Sequence, residues 1–600
     1  MTGTTLTWQR LRDLKRSEFE DAGDGWHEVS GRADADRGKV DRTMTAKLRE
    51  TQKSDSAEAA LKRLERLSRN FQYVHTEAGL IRTALNGLAS ELAGPQEQLA
   101  RALEDAESLK FTVHSDGSVS YPAAVGETLL GKKEQPGGTA QGSGRFPLEA
   151  PPLTEQPGLP GGRFDPNPNA VKAQAIADRI ARAVRSAADI DGRYVQALSK
   201  LKAAGGLDVT KATLEDVFRD TDAVRTVAGR YLGDTIPEDK SPAERKKWWD
   251  GLTDEQRQEY VTIVPDLVGS LDGIPAAVRD EANRNYLPVL IDKLEGQDGD
   301  DAQTKLAALR GIEAKLNEPS KVPMYLLGIG GEGNGRAIVA YGNPDTSRNV
   351  SAYVPGLGTK LNQEFVDDTL KRGLDTAKGA QKYDESSAAI VWLGYDAPNF
   401  ATVASTSNAE EGAPVYNQFM AGLGATNEHK DPHLTAIGHS YGSLAVGTAA
   451  QQDGGIPGAD DIILLGSPGT GVDRAEDLGV GKDHVFVGAA DNDPVTKLPS
   501  GQQSVASGVG LVAAGPLGGY IAGDIADQGD DDLYFGKDPA SVAFGARRFE
   551  VDDGARPVLE LGAFDAHSNY FTPERDRNSA ESIAKIVAGN SEKIKTEEWR

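Results

Sequence analysis

A Gly-x-Ser-x-Gly motif constrains this chain more than any other stretch of its sequence. The motif runs from Gly438 to Gly442 with Ser440 at its centre, between the apolar run Leu434–Ile437 and a small-residue helical segment, Leu444–Gln451. Strand, tight turn and helix in this order are typical of a nucleophile elbow, where a strained turn exposes the serine hydroxyl. The two glycines suit this turn because strand and helix pass too close there for side chains. In a chain with 68 glycines, the flanking elements favour this interpretation over an ordinary glycine-rich turn.

Composition excludes several classes of protein. A net charge of −25 and a pI near 4.9 argue against nucleic acid as a partner, because phosphate binding needs clustered positive charge. The chain has no cysteine, so disulfides, thiolate metal sites and a cysteine nucleophile are excluded. No run of about 18 apolar residues predicts a transmembrane segment. The N-terminus lacks a basic region followed by an apolar stretch, so we expect no general secretory signal.

The C-terminal half predicts an α/β fold. Short β-rich runs alternate with helical stretches such as Lys360–Arg372 and Val415–Gly422, which implies a mostly parallel sheet covered by helices on both faces. The first two runs, linked by a tight glycine turn, predict an antiparallel hairpin at one edge. The β-rich runs are Met324–Gly330, Arg336–Tyr341, Val350–Val354, Ala389–Leu393, Leu434–Ile437, Asp461–Leu465 and Val485–Gly488.

The N-terminal half predicts an all-α region. Apolar residues recur every three or four positions over residues 56–93, as in one long helix that ends at Gly94-Pro95, and a weaker helix over 8–50 would complete an antiparallel hairpin. A further helix through Leu99–Leu109 and a small β-hairpin around Asp116-Gly117 follow. We therefore expect a helical hairpin or coiled-coil domain over 1–121, a Gly/Pro-rich linker over 122–168, a second helical region over 169–320 and the α/β domain over 321–600.

Several motifs in order resemble a known family. The segment Leu271-Asp-Gly-Ile-Pro275, with Arg279-Asp280 and Ala282-Asn283-Arg284, is followed by Trp392-Leu-Gly-Tyr-Asp-Ala-Pro398, the serine motif and Phe535-Gly-Lys-Asp-Pro539. Over about residues 240 to 590 this pattern is similar to actinobacterial α/β-hydrolases of unknown function. The resemblance implies an α/β-hydrolase fold with a Ser/Asp/His site, and no particular substrate.

A Ser-acid-His triad requires an acid and a histidine after the nucleophile in chain order. His484 and His567 are the two histidines after Ser440, and His484 begins a strand ahead of the acid candidates, so His567 is the predicted base. Asp491 and Asp493 both follow the strand at Val485–Gly488. Asp493 is preferred because the stretch from it to Pro499 is similar to the Asp-x-Val-x-x-Leu-Pro segment around the catalytic aspartate of many lipases. The other reading is that either aspartate only caps a turn.

An oxyanion hole requires two backbone N–H donors. Tyr441, directly after the nucleophile, supplies one, and Gly356 or Leu357 in the loop after an early strand supplies the other. We expect no cofactor and no metal. The Gly-x-Gly-x-x-Gly of Gly328–Gly333 precedes a strand instead of a helix, and Pro432 breaks the helix that a metal pair at His429 and His433 would need.

The opening hairpin is similar in layout to the small helical-hairpin proteins of type VII secretion systems. The Trp-x-Gly turn of that family is absent, but its Tyr-x-x-x-Asp/Glu signature occurs at Tyr73–Glu77 and again at Tyr570–Glu574. A plain scaffolding coiled coil is the alternative. The expected location is the cytoplasm or, by a type VII-like route, outside the cell, and the hairpin is expected to accept a helical partner protein.

Three hypotheses about function follow. In the first, the chain is a serine esterase or lipase-like hydrolase with Ser440, Asp493 and His567 as its triad, acting on a small-molecule or lipid ester, or less favourably on an amide. In the second, it is a non-catalytic helical scaffold or interaction protein that carries a hydrolase-like domain. In the third, the helical part exports an active hydrolase.

Overall fold

The described part of the chain divides into two units. The computed structural model describes residues 6–128, 131–142, 167–201, 209–232, 236–498, 531–554 and 565–599. The first unit takes in the described residues of 1–45 and 52–236, and the second takes in those of 46–51 and 237–600. The division falls inside the predicted second helical region, 169–320. Helical periodicity identifies the face that a helix buries, but not the core against which that face packs.

The first unit is built mainly from long helices. Ser54 caps the longest of them, α4, by accepting a hydrogen bond from the Ala57 N–H. The helices that precede residue 237 are α1 (Trp8–Asp13), α2 (Ser17–Lys39), a π-helical turn at Val40–Thr45, α3 (Ala46–Thr51, in the second unit), α4 (Asp55–Ser108), α5 (Pro168–Leu198) and α6 (Lys211–Leu232).

The predicted end of the long helix at Gly94-Pro95 is wrong. Helix α4 continues to Ser108 with Pro95 buried inside it, and the predicted separate helix Leu99–Leu109 is its last part. An internal proline costs about 3 kcal/mol through a lost hydrogen bond and a steric clash. Leu92, Pro95 and Leu99 are all buried on this helix, which packs against both α2 and α5. Burial along the whole helix outweighs a local signal to stop.

The predicted linker over 122–168 is wrong for its described part. Strands β1 (Thr112–Val113) and β2 (Val119–Tyr121) form the predicted hairpin, and its turn contains Gly117 at φ +85°. The chain then forms three more strands: β3 (Ala124–Thr128) pairs with β4 (Gly131–Gln135), and β5 (Gly138–Ala140) pairs with β2, both antiparallel. Backbone pairing orders this stretch without a large apolar surface. Residues 143–166 lie outside the described residues.

The second unit is an α/β fold with a large, mostly parallel sheet, as predicted. Counted over the described residues, the sheet has eight strands in the order β15-β12-β11-β10-β8-β9-β7-β6. All neighbouring pairs from β15 to β9 are parallel, while β7 is antiparallel to β9 and to β6, so the predicted edge hairpin is confirmed. The strands are β6 (Met324–Gly330), β7 (Arg336–Tyr341), β8 (Asn349–Val354), β9 (Ser387–Leu393), β10 (His433–His439), β11 (Ala459–Leu465), β12 (Val485–Gly488) and β15 (Arg547–Arg548), with a separate pair β13 (Asp532–Leu533) and β14 (Gly536–Lys537).

Helices cover both faces of this sheet. Neighbouring strand residues alternate between two cores: Ala436 packs in one with α13 and α14, and Ile437 in the other with α11, α12 and α16. The helices are α7 (Pro242–Asp250), α8 (Asp254–Ile263), α9 (Pro265–Ser270), α10 (Ala276–Glu295), α11 (Asp300–Leu316), α12 (Leu370–Ala380), α13 (Ser407–Thr426), α14 (Tyr441–Ala450), α15 (Asp565–Ser568) and α16 (Arg577–Val587).

The predicted helix Lys360–Arg372 begins too early. A π-helical turn starts at Phe365, and α12 follows it. Asn362 explains the delay, because its side-chain oxygen accepts the Phe365 N–H at 2.9 Å and so starts the helical turn there.

The Leu271–Arg284 motif has a structural explanation. Strand β6 is the last strand at this edge of the described sheet, so no further strand is available to bond the backbone of Leu326 on its outer side. The Asp280 carboxylate accepts the Leu326 N–H at 2.7 Å, and the Asn283 amide donates to the Leu326 carbonyl at 2.9 Å. A buried ion pair, Arg279–Asp272 at 2.9 Å, links α10 to the preceding loop. Helix α10 therefore satisfies and covers the open edge, which blocks further strand pairing.

Candidate active site

The serine motif forms a strained turn between strand and helix. Strand β10 ends at His439, α14 begins at Tyr441, and Ser440 between them has φ 58° and ψ −132°. Among the described residues, Lys110 is the one other non-glycine with positive φ. A Cβ at Gly438 would lie 2.6 Å from the Ser443 Cα. The positive φ of Ser440 is a strained backbone conformation for a non-glycine residue. Strain of this kind costs on the order of 1–3 kcal/mol and concentrates at functional sites.

The second motif glycine faces the neighbouring strand. A Cβ at Gly442 would lie 2.1 Å from the Val354 carbonyl oxygen, a distance that no side chain tolerates. The two motif glycines therefore let the backbone of the turn pack closely against β8 and α14.

A buried aspartate holds the predicted base. His567 Nδ1 donates to Asp493 Oδ2 at 2.9 Å, and Asp493 is 0 % exposed. The Val495 N–H donates to Asp493 Oδ1 at 2.8 Å. By contrast, the Asp491 side chain is 63 % exposed and lies 3.7 Å from an Arg548 nitrogen. Of the two candidate acids, the structure brings Asp493 to the histidine.

The charge on Asp493 is stabilised despite its burial. Burial alone would raise the pKa of this carboxyl, but the charge and hydrogen bond of His567, together with the donors Tyr570 and Val495, outweigh it and hold the pKa below its ordinary value. The carboxylate is therefore ionised at neutral pH and keeps the proton of His567 on Nδ1. In the tautomer that this hydrogen bond selects, Nε2 of His567 is the nitrogen that can accept a proton.

Gly466 brings the acid–base pair up against the serine turn. It directly follows β11 at φ +52°, and a Cβ there would lie 2.7 Å from Asp493 Oδ2 and 2.8 Å from His567 Nδ1. The preceding carbonyl, of Leu465, accepts the Ser440 N–H at 2.9 Å. Ser440, Asp493 and His567 thus meet at the carboxyl ends of β10 to β12, where ligands bind in parallel α/β sheets.

The predicted oxyanion loop lies over the serine turn. A Cβ at Gly356 would lie 2.7 Å from the Ser440 Cβ and 2.8 Å from the Tyr441 backbone nitrogen. Among the backbone hydrogen bonds of the described residues, the N–H groups of Gly358 and Thr359 are engaged, and those of Gly356 and Leu357 are not. The loop and the first turn of α14 therefore bring backbone donors close together.

The sequence analysis did not predict three residues that lie beside Ser440, Asp493 and His567. These are His439, Tyr570 and Gly466. His439 Nε2 donates to the His567 carbonyl at 2.7 Å, and their rings lie 4.5 Å apart. The Tyr570 hydroxyl donates to Asp493 Oδ2 at 2.7 Å and accepts the Ala490 N–H at 2.9 Å. His439 and Tyr570 stand within three residues of a predicted triad member. This proximity in sequence was the one signal that could have identified them.

The remaining histidines of the second unit lie elsewhere. His433 Nε2 and His484 Nδ1 bond the two oxygens of Asp461, at 2.9 and 2.8 Å, near the amino ends of their strands. His429 Nε2 lies 3.2 Å from the Thr346 carbonyl oxygen. Within the part of the chain that the structure describes, no three His, Asp or Glu side chains are grouped so that they could hold a metal ion.

The described residues also contain no helix with the length and apolarity needed to cross a membrane.

Comparison with known proteins gives matches centred on this region. A family model described as alpha/beta hydrolase matches residues 330–502, a range that includes Ser440 and Asp493. The chain is 29 % identical over 385 residues to the uncharacterized protein Rv2079 of Mycobacterium tuberculosis (strain ATCC 25618 / H37Rv), covering 58 % of this chain and 56 % of that protein. It is 36 % identical over 200 residues to the uncharacterized protein Mb0988c of Mycobacterium bovis (strain ATCC BAA-935 / AF2122/97), covering 32 % of this chain and 74 % of that protein. The chain thus spans about half the length of the first of these relatives.

Proposed function

Because the chain belongs to the α/β-hydrolase family, we propose that it is a serine hydrolase that cleaves carboxylic esters through an acyl-enzyme. Ser440 is the nucleophile, His567 the general base and Asp493 the carboxylate that orients the base. One observation carries the proposal: a fully buried Asp493 bonds His567 at 2.9 Å beside the strained turn at Ser440. A solvated histidine–aspartate contact would not keep one tautomer in place.

The reaction follows from these roles. His567 Nε2 takes the proton of Ser440 Oγ as the oxygen attacks the acyl carbon, which forms a tetrahedral oxyanion. The imidazolium then gives this proton to the departing alkoxide, which is released as the alcohol. The acyl group remains bound to Ser440 as an ester, the acyl-enzyme. Water, deprotonated by the same nitrogen, attacks the acyl carbon and releases the acid, with the proton returned to Ser440.

The Tyr441 N–H and a donor from Gly356 or Leu357 bind the oxyanion in this scheme. Loss of one such donor typically lowers kcat by about 10²- to 10³-fold. The absence of a side chain at Gly356 supports this role, since a Cβ there would occupy the space directly over Ser440. The proposed substrate is a small-molecule or lipid ester.

Covalent labelling with a fluorophosphonate probe tests the proposal. We expect the wild-type protein to be labelled, and the Ser440→Ala and His567→Ala variants to lose labelling while they remain folded. Ser351→Ala is a matched control, because Ser351 is a buried serine on the adjacent strand β8. A folded wild type without labelling would contradict the proposal. Labelled protein would justify assays with p-nitrophenyl esters of increasing acyl length.

A second candidate, an interaction role for the helical unit, is favoured by exposed apolar side chains. Trp26 and Val29, three residues apart on α2, are 40 % and 43 % exposed. A helical partner protein would cover such a face. This role is compatible with catalysis in the second unit, and it becomes the leading function if no labelling is found.

Export by a type VII-like route has weaker support. Tyr73 and Glu77 are 4 % and 7 % exposed, in the middle of α4. Tyr570 is 0 % exposed, and its hydroxyl bonds Asp493. A signature read by an export machinery needs to be accessible, so burial of both tyrosines favours a scaffold. Secretion into culture medium that depends on Tyr73 and Glu77 would reverse this preference.

A further inference from the structure

His439 makes contacts that the proposed reaction scheme does not use. Its side chain is buried, with 4 % of the residue exposed, and lies directly before the nucleophile in sequence. The Nε2–H donates to the main-chain carbonyl of His567 at 2.7 Å. The two imidazole rings are 4.5 Å apart at 31° between their planes. The residue that precedes the serine is thus hydrogen-bonded to the backbone of the base.

This contact completes the fixation of His567. The base lies on the four-residue helix α15, which has little rigidity of its own. Asp493 holds its side chain through Nδ1, whereas His439 holds its backbone. One hydrogen bond and one peptide bond therefore connect the base to Ser440.

The protonation state of His439 is consistent with its hydrogen bond to the His567 carbonyl. The pKa of His439 lies well below its ordinary value. Burial is the largest cause, and the positive charges of His567 and Arg372 lower the pKa further. A carbonyl accepts the bond from Nε2, so His439 is neutral with its proton on Nε2. A neutral ring beside His567 does not oppose the imidazolium that forms during the reaction.

An aromatic layer fixes the orientation of His439. Tyr570 and Phe571 each lie with ring centroids 6.0 Å from it, in edge-to-face arrangements. Tyr353, at the end of β8, lies 6.5 Å away and packs 4.6 Å from Phe571. These contacts restrict the imidazole to the rotamer that reaches the His567 carbonyl.

We propose that His439 is a positioning residue that sets the place of His567 relative to Ser440 through its hydrogen bond to the His567 carbonyl. This inference rests on the proposed hydrolase function. It assigns no contact with substrate to His439, so it predicts an effect on kcat and on the rate of serine labelling, and little effect on KM.

The test compares four variants with wild type in fluorophosphonate labelling rate and in p-nitrophenyl acetate hydrolysis. His439→Phe keeps a ring and removes the donor, and we expect both the labelling rate and kcat to fall about 10- to 100-fold, the effect of a small misplacement of a catalytic group. His439→Gln keeps an N–H of similar reach and should recover most of the rate. His439→Asn places its amide one methylene short and should not. His433→Phe, a control at the other end of β10, should keep the wild-type labelling rate.

The outcomes separate the inference from the function on which it rests. A wild type that is not labelled contradicts the hydrolase. A labelled wild type with folded His439→Phe at the same rate overturns the positioning role, and so does an equal loss in His433→Phe, which would indicate a general effect on stability. If His439→Phe does not fold, the Gln and Asn variants decide: equal rates overturn the inference, and a faster Gln variant supports it.

Discussion

The two ends of strands β10 and β11 each carry a histidine–aspartate contact, and their surroundings differ. At the carboxyl end, His567 bonds Asp493 at 2.9 Å. At the amino end, His433 and His484 bond Asp461 at 2.9 and 2.8 Å. Both aspartate side chains are buried, at 0 % and 4 % exposure. Residue type and distance therefore do not distinguish a candidate active site from a structural contact.

The neighbouring backbone makes the difference. Beside Asp493 and His567 lie a serine on a strained turn, glycines that leave space, and the backbone donors at the start of a helix. At the amino end, Asp461 on β11 instead bonds His433 at the start of β10 and His484, the residue before β12. These bonds connect three neighbouring strands. A histidine–aspartate pair indicates catalysis only where a nucleophile and an oxyanion site share its space.

The largest expected effect comes from removing each carboxylate in turn. Asp493→Asn should lower kcat/KM for p-nitrophenyl acetate about 10⁴-fold, because the base loses the partner that fixes its tautomer. Asp461→Asn should leave kcat/KM at the wild-type value and lower the melting temperature, since an amide nitrogen replaces one of the two buried oxygens that accept hydrogen bonds from His433 and His484. Steady-state kinetics and thermal unfolding of both variants check this. Equal activity of the two variants would remove the distinction between the two ends.

A smaller effect is expected from Tyr570→Phe. The hydroxyl donates to Asp493 and accepts the Ala490 N–H. Its loss removes one donor to the Asp493 carboxylate and should lower kcat about 10-fold, which corresponds to about 1.4 kcal/mol. Tyr416→Phe is the control: its hydroxyl donates to the Ala352 carbonyl in the same sheet at 2.9 Å. That variant should lose about 1 kcal/mol of stability with kcat unchanged. Unaltered kcat in Tyr570→Phe would exclude a role for this hydroxyl.

The smallest effect concerns stability alone. Burial would lower the pKa of His433, but its hydrogen bond to Asp461 and the charges of Asp461 and Asp460 outweigh burial and raise the pKa above its ordinary value. A raised pKa stabilises the fold fully below the unfolded value of about 6.5 and loses that contribution as the pH rises through the folded pKa. Urea unfolding of wild type and His433→Gln should therefore show a larger difference in unfolding free energy at pH 5.5 than at pH 8.5. A difference that does not depend on pH would contradict this assignment.

Much of the second unit could be predicted from its sequence. Each of the seven β-rich runs of the C-terminal half is a strand, and the edge hairpin is present. Local patterns sufficed because buried parallel strands are short apolar runs with little ambiguity of period.

The errors concern packing between distant segments, apart from the start of the helix predicted over Lys360–Arg372, where a local hydrogen bond from the Phe365 N–H to Asn362 sets the first turn. Pro95 lies inside a helix because α2 and α5 bury the residues around it, and part of the presumed linker pairs into strands. His439 and Tyr570 were passed over because their partners, His567 and Asp493, lie 128 and 77 residues away. A single sequence carries no signal for such contacts.

The sequence by itself determined the strand–turn–helix around Ser440, the order of serine, acid and base, and the glycines that the turn requires. These features follow from local steric limits and from the residue types that the chemistry needs. Only the tertiary structure shows that Asp493, and not Asp491, is the aspartate hydrogen-bonded to His567, and that His439 contacts the His567 carbonyl. Those choices depend on burial and on hydrogen-bond geometry, which arise when strands and loops far apart in the chain meet at one end of the sheet.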